Sequence, residues 1–111
     1  MSDVVICAVA RTPIGRYRGA LADRSAVDLG NHAVKGLLAR VGINPASGII
    51  DEVLFGQVLQ AGAGQAPARP VAQGAGMPFS TPATTINKVC GSSLKAVMMA
   101  ANSIRAGEYL S

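Results

Sequence analysis

The chain has 111 residues, 50% of them hydrophobic and 14% charged, with a formal net charge of +4. That length allows one small domain, and a charged share well below the usual figure of about 25% leaves too few polar groups to coat it, so part of its surface is expected to be covered by more protein. The basic residues are scattered with 4% aromatics between them, which argues against a nucleic-acid partner; no apolar run reaches a membrane span; and the opening residues lack the composition of a secretory or transit peptide.

In chain order, VVICAV at residues 4–9 reads as a continuous apolar strand of the kind buried on both faces in a parallel sheet. Cys7 lies inside it and is expected in the core. Residues 11–22 form a loop punctuated by Pro13, Gly15 and Gly19. Arg11, Arg16, Arg18 and Arg24 gather in this region; a solvated loop is the simpler reading, phosphate or partner contacts the functional one. A helix follows over residues 25–41, with Ser25 as N-cap, Asp28 in the first turn and Gly42 as the stop. His32 falls within it and reads as structural. Residues 44–48 are a turn around Pro45. VLFGQVL, residues 53–59, reads as a second buried strand. The loop over 60–65 contains AGAG, but the register of a dinucleotide fingerprint is not met. A helix from residue 67 to about 74 and a loop over 76–82 complete the approach to the last unit.

That unit is TTINKVCGSSLKAVMMAANSIR, residues 84–105. Thr84, Thr85 and Ile86 favour a strand. Gly91, Ser92 and Ser93 have the chemistry of a helix start. Leu94, Val97, Met98, Ala101 and Ile104 recur at helical steps. Ala96, Met99 and Ala100 make the other side apolar too, so the helix is expected to be buried. Arg105 and Gly107 mark its end. Cys90 sits where strand becomes helix. A thiol there faces unsatisfied backbone N–H groups and the positive end of the helix dipole. Both favour the thiolate, the nucleophilic form, and the same N–H groups suit an oxyanion. The alternative is a small buried hydrophobe, the common fate of a free cysteine.

The run INKVCGSSLKAVMMAANSI, residues 86–104, resembles the N-terminal signature of the thiolases, the acetyl-CoA acetyltransferase family. AVARTPIGRYRGAL, residues 8–21, resembles the family's opening strand and loop. GQVLQAGAGQAPAR, residues 56–69, resembles the segment after its second strand. Ser93 departs from the pattern, since many members have glycine there. The resemblance implies that residues 1–111 are an incomplete N-terminal domain, the front of the first of two similar halves. It implies that Cys90 attacks an acyl-CoA thioester, and that a second acyl-CoA takes the acyl group in a Claisen condensation, or thiolysis in reverse. The family draws its base from a histidine motif and a second cysteine nearer the C-terminus, and neither motif occurs here. This chain alone is therefore expected to lack turnover.

The strand–helix alternation and the resemblance together give an α/β layered fold with a parallel-strand core and a buried nucleophile helix. The catalytic residue that the resemblance implies is Cys90. No cofactor-binding residue and no metal ligand is expected, since coenzyme A thioesters are substrates and one histidine with two separated cysteines has no metal-site spacing. Acetyl-CoA or another acyl-CoA is the partner, with no nucleic acid and no membrane. The full-length enzyme is expected to be a cytoplasmic homo-oligomer, a dimer or tetramer, and the isolated chain marginal or prone to aggregate at an unpaired sheet edge. Three alternatives remain. One is a β-ketoacyl synthase-type condensing enzyme; another is a non-enzymatic piece that docks on a full-length homologue. The third is a thiol redox protein, which lacks a nearby resolving cysteine.

Overall fold

A computed structural model describes residues 3–109. Helix α1 spans Ala26–Val41. It begins in a capping box: the Ser25 hydroxyl accepts the Asp28 N–H at 3.0 Å, and the Asp28 carboxylate accepts the Ser25 N–H at 3.0 Å. These bonds hold the Asp28 carboxyl below its ordinary value of 3.8, first through the Ser25 backbone and then through its hydroxyl, with Arg24 adding a favourable charge. Gly42 closes the helix with a left-handed backbone. A 3-10 turn, Pro45–Ser47, leads on toward the first strand.

Strand β1, Val53–Gly56, pairs in parallel with β2, Ala83–Ile86. The register sets Val53 against Ala83 and Gly56 against Ile86. Between them runs helix α2, Ala68–Gly74. The Thr85 hydroxyl of β2 accepts the Ala68 N–H at 3.0 Å, which satisfies an orphan donor at the start of α2. Ala68, Val71 and Ala72 are buried, and these small side chains let α2 lie close against its neighbours. Ahead of β2, the Arg69 guanidinium donates to the carbonyls of Thr81 at 2.6 Å and Phe79 at 2.7 Å. It thereby fixes the loop that delivers the strand. Helix α3, Ser92–Arg105, follows β2 after a short turn.

The strands separate two helical layers. Leu38 of α1, Val53, Ala72 and Met77 form the core, with Phe55 and Ala83 packed against it. On the other side, Leu54 and the α3 residues Ala96, Val97 and Ala100 line an apolar groove of about 330 Å³. This is the α/β layered arrangement expected.

Four local expectations are corrected. Residues 4–9 are extended but form no strand; Val5 and Ile6 are 71% and 74% exposed, and Cys7 is exposed rather than in the core. A strand needs a neighbour's backbone, and among the described residues none pairs with this run; Val9 instead gives its carbonyl to the Arg40 side chain at 3.0 Å. The strand read over 53–59 ends at Gly56. Gln57 N–H makes a last bond to Ile86 at 3.0 Å, after which the Val58 carbonyl is taken by the Asn87 side chain. Helix α3 is not buried all round: Leu94 is 69% exposed, while its buried residues are Ser92 and Ala96. Leu94 and Met98 of the apolar stripe face outward, because β1 and β2 cover only the opposite side, and Val97 stays half exposed in the open groove beside Leu54. Finally, α3 has no side-chain cap; its N-cap is Gly91, and the Ser92 hydroxyl bonds within the preceding turn.

Candidate active site

The site is built at the carboxyl ends of the two parallel strands. Beyond Ile86 the chain turns through Asn87, Lys88, Val89 and Cys90 into α3. Val89 has a φ of 48°, a left-handed conformation that is an outlier for a β-branched residue. Its N–H donates to Asn87 Oδ1 at 2.9 Å, and its carbonyl accepts the Ser92 hydroxyl at 2.6 Å. Ser92 Oγ also accepts the Lys88 N–H at 2.9 Å. Two backbone bonds tighten the same turn, Gly91 N–H to Lys88 at 3.0 Å and Ser92 N–H to Val89 at 3.2 Å.

Cys90 is exposed at the crest of this turn, with a free thiol. Lys95 N–H reaches back to Gly91 at 2.9 Å and closes the first turn of the helix. Among the described residues, the Ser93 and Leu94 N–H groups have no hydrogen-bond partner. Cys90 thus immediately precedes a helix start with two unsatisfied amides, a region where negative charge is favoured. The arrangement can support a sulfur nucleophile and an oxyanion beside it.

Strand β1 fixes the height of this helix start. Gly56 lies so close to it that a Cβ there would fall 2.6 Å from Ser93 N and 2.8 Å from Ser92 C. Only a residue without a side chain permits that approach. On the other side, Ala10, Thr12, Gly56, Pro67 and Ser93 share one cleft. The three motif stretches singled out in the sequence therefore meet at the beginning of α3.

Other candidates stay apart from it. His32 is exposed on α1, in a separate cleft with Asn31 and Lys35. Arg16, Arg18 and Arg24 are exposed, and Arg24 lies 3.8 Å from Asp23. Among the described residues no three His, Cys, Asp or Glu side chains gather as a metal site, and no helix is long and apolar enough to cross a membrane. Asn87, Ser92 and Gly56 were not singled out as site residues by sequence reasoning. Ser92 reads, with Ser93, as helix-start chemistry, and nothing in the composition marks Val89 as left-handed. The glycine in VLFGQVL, an unusual residue inside a strand, was the one available signal.

Comparison with known proteins agrees with this arrangement. Residues 4–110 match the model of the thiolase N-terminal domain. The chain is 54% identical over 108 residues to an acetyl-CoA acetyltransferase of Cupriavidus necator, covering 97% of this chain and 27% of that protein. It is 49% identical over 107 residues to a mitochondrial acetyl-CoA acetyltransferase of Danio rerio, covering 96% of this chain and 25% of that one. A thiolase from Ascaris suum, crystallised in complex with coenzyme A, superposes with a TM-score of 0.85 at 41% identity, over 90% of this chain and 26% of its own. The chain thus spans about a quarter of the length of the curated relatives it matches. By the extent of the domain match, the fold and the relatives together, the chain belongs to the thiolase family.

Proposed function

We propose that this chain supplies the acyl-accepting half of a thiolase, with Cys90 as the nucleophile. The Cys90 sulfur attacks the carbonyl carbon of an acyl-CoA thioester. The bond from that carbon to the coenzyme sulfur breaks, and coenzyme A leaves as a thiol after taking up a proton. The acyl group, now a thioester on Cys90, passes to the α-carbon of a second acyl-CoA in the condensing direction. In the degradative direction Cys90 attacks the 3-keto carbon of a 3-ketoacyl-CoA, and the bond between its α- and β-carbons breaks. The α-carbon takes up a proton and leaves as acetyl-CoA, and coenzyme A then takes the acyl group from Cys90. The unpartnered amides of Ser93 and Leu94 at the start of α3 support this reading, since such donors favour negative charge on an attacked carbonyl.

The observation that carries this reading is the exposed thiol of Cys90 on a strained turn at the start of α3. The base that removes the second substrate's α-proton is proposed to come from another part of the protein, since His32 lies away from Cys90 on α1. Residues 1–111 are then the front of a larger domain. The outward apolar side of α3 and the exposed run at residues 4–9 support that reading, because both are surfaces that further protein would cover. A homo-oligomer in the cytoplasm completes the proposal. The mitochondrial relative makes subcellular fractionation the deciding measurement for the compartment, and light scattering that for the assembly.

The test of the site is incubation with acetyl-CoA followed by peptide mass analysis. One acetyl group is expected on Cys90, none on Cys7, and none in a Cys90→Ser variant. Acetylation that persists in Cys90→Ser, or its absence from the parent protein, overturns the assignment.

A further inference from the structure

We infer that Asn87 and Ser92 are positioning residues for acyl transfer: together they hold Val89 in the left-handed conformation that presents Cys90 to the thioester. The inference rests on Cys90 being the acyl acceptor. Its own support is the way the main chain of Val89 is held. In helices and sheets, backbone groups hold one another. Here the Val89 N–H is taken by the Asn87 side chain at 2.9 Å, and its carbonyl by the Ser92 hydroxyl at 2.6 Å beside a longer backbone bond from the Ser92 N–H at 3.2 Å. Ser92 is 2% exposed and uses its oxygen twice, since it also accepts the Lys88 N–H at 2.9 Å. The Asn87 amide nitrogen donates to the Val58 carbonyl at 3.3 Å, which ties the turn to the end of β1.

These bonds are not needed to start the helix. Helix α3 begins with Gly91 as N-cap and no side-chain cap. They are needed for a valine at φ 48°, because a β-branched side chain disfavours that region and returns to a right-handed or extended backbone unless restrained. Release of Val89 rotates the adjoining peptide, and with it the direction in which Cys90 leaves the turn. The thiol then points away from the direction set by the turn. Acyl transfer is sensitive to such misplacement, and a shift of about 1 Å costs on the order of a hundredfold in rate.

The experiment measures the rate of Cys90 acetylation by acetyl-CoA in the protein that contains this chain. Asn87→Ala and Ser92→Ala are each expected to slow it about tenfold, the equivalent of one lost net hydrogen bond at the reacting geometry. Asn87→Asp keeps an oxygen for the Val89 N–H and is expected to stay within about threefold of the parent. Val89→Gly added to Ser92→Ala is expected to recover most of the lost rate, because glycine enters the left-handed region freely. A loss of general packing would not be rescued in that way. Parent-like rates in Asn87→Ala and Ser92→Ala, or a double variant as slow as Ser92→Ala alone, overturn the inference while leaving Cys90 as the acceptor. Should Ser92→Ala fail to fold, the Asn87 pair decides, since Asn87 is exposed. A parent protein that takes no acetyl group removes both the inference and the reading beneath it.

Discussion

Replacing Gly56 with alanine tests the link between the sheet and the thiol. The added methyl would sit 2.6 Å from Ser93 N, 2.8 Å from Ser92 C and 2.8 Å from Ser93 Oγ, whereas ordinary contact begins at 3.4 Å. The hydroxyl can rotate away. The two backbone atoms cannot, so β1 and the first turn of α3 must separate by roughly 0.8 Å, the gap between 2.6 and 3.4 Å. Overpacking of this kind costs about 1–3 kcal/mol, and contact with backbone places it toward the upper end. The displaced segment contains Ser92, whose hydroxyl holds Lys88 and Val89, so the shift also reaches Cys90. Urea denaturation of the parent and Gly56→Ala proteins measures the first effect, and the acetyl-CoA reaction at Cys90 measures the second. We expect a loss of about 2–3 kcal/mol in stability and a slower acetylation in the protein that remains folded. A stability change under about 0.5 kcal/mol, the range of an ordinary surface substitution, would show that strand and helix do not approach as described.

Three further outcomes follow from the packing. Ser25→Ala removes half of the capping box and is expected to cost about 1 kcal/mol in a denaturant titration, while Ser25→Asp should retain most of that stability. The Asp28 carboxyl is held below its ordinary value, so its contribution is complete above the unfolded value of 3.8 and is lost as pH falls through the lower folded value. Acid titration of Asp28→Asn should accordingly lack that component of acid sensitivity below about pH 4, and a variant with the parent's full acid profile would contradict the assignment. Arg69→Ala removes the two bonds to Phe79 and Thr81 and is expected to cost about 2 kcal/mol. Faster hydrogen exchange across residues 78–82 would accompany it, and unchanged exchange there would mean the guanidinium does not hold the loop.

The legible parts of the sequence were those governed by local chemistry. Ser25, Asp28 and Gly42 mark α1 because capping and helix termination are decided within a few residues, and the structure places each at the expected end. Thr84 to Ile86 followed by Gly91 marked the strand-to-helix turn for the same reason. Partnering was not legible. Residues 4–9 have the composition of a central strand, yet a strand exists only when another backbone lies beside it. The apolar residues of α3 occupy most of its circumference, so periodicity alone did not reveal which side meets the sheet; the position of Gly56 decides that. The left-handed Val89 escaped altogether, because valine is among the residues least suited to that conformation and side chains on either side of it impose it.

The parallel pairing has a consequence for the order of events during synthesis. Strand β1 has its one partner, among the described residues, in β2, and α2 lies between them in sequence. The pairing is therefore non-local and waits for the chain to be made as far as Ile86. Cys90 follows only a few residues later. A nascent chain that has not yet exposed β2 possesses neither the sheet nor the turn, and Cys90, which follows β2, has not emerged either. Pulse alkylation of ribosome-bound chains of increasing length would read the change, with a gradual rise in place of a single step counting against it. Sheet closure and creation of the thiol's surroundings are thus one event, and no half-built chain presents the Cys90 turn before it has a fold.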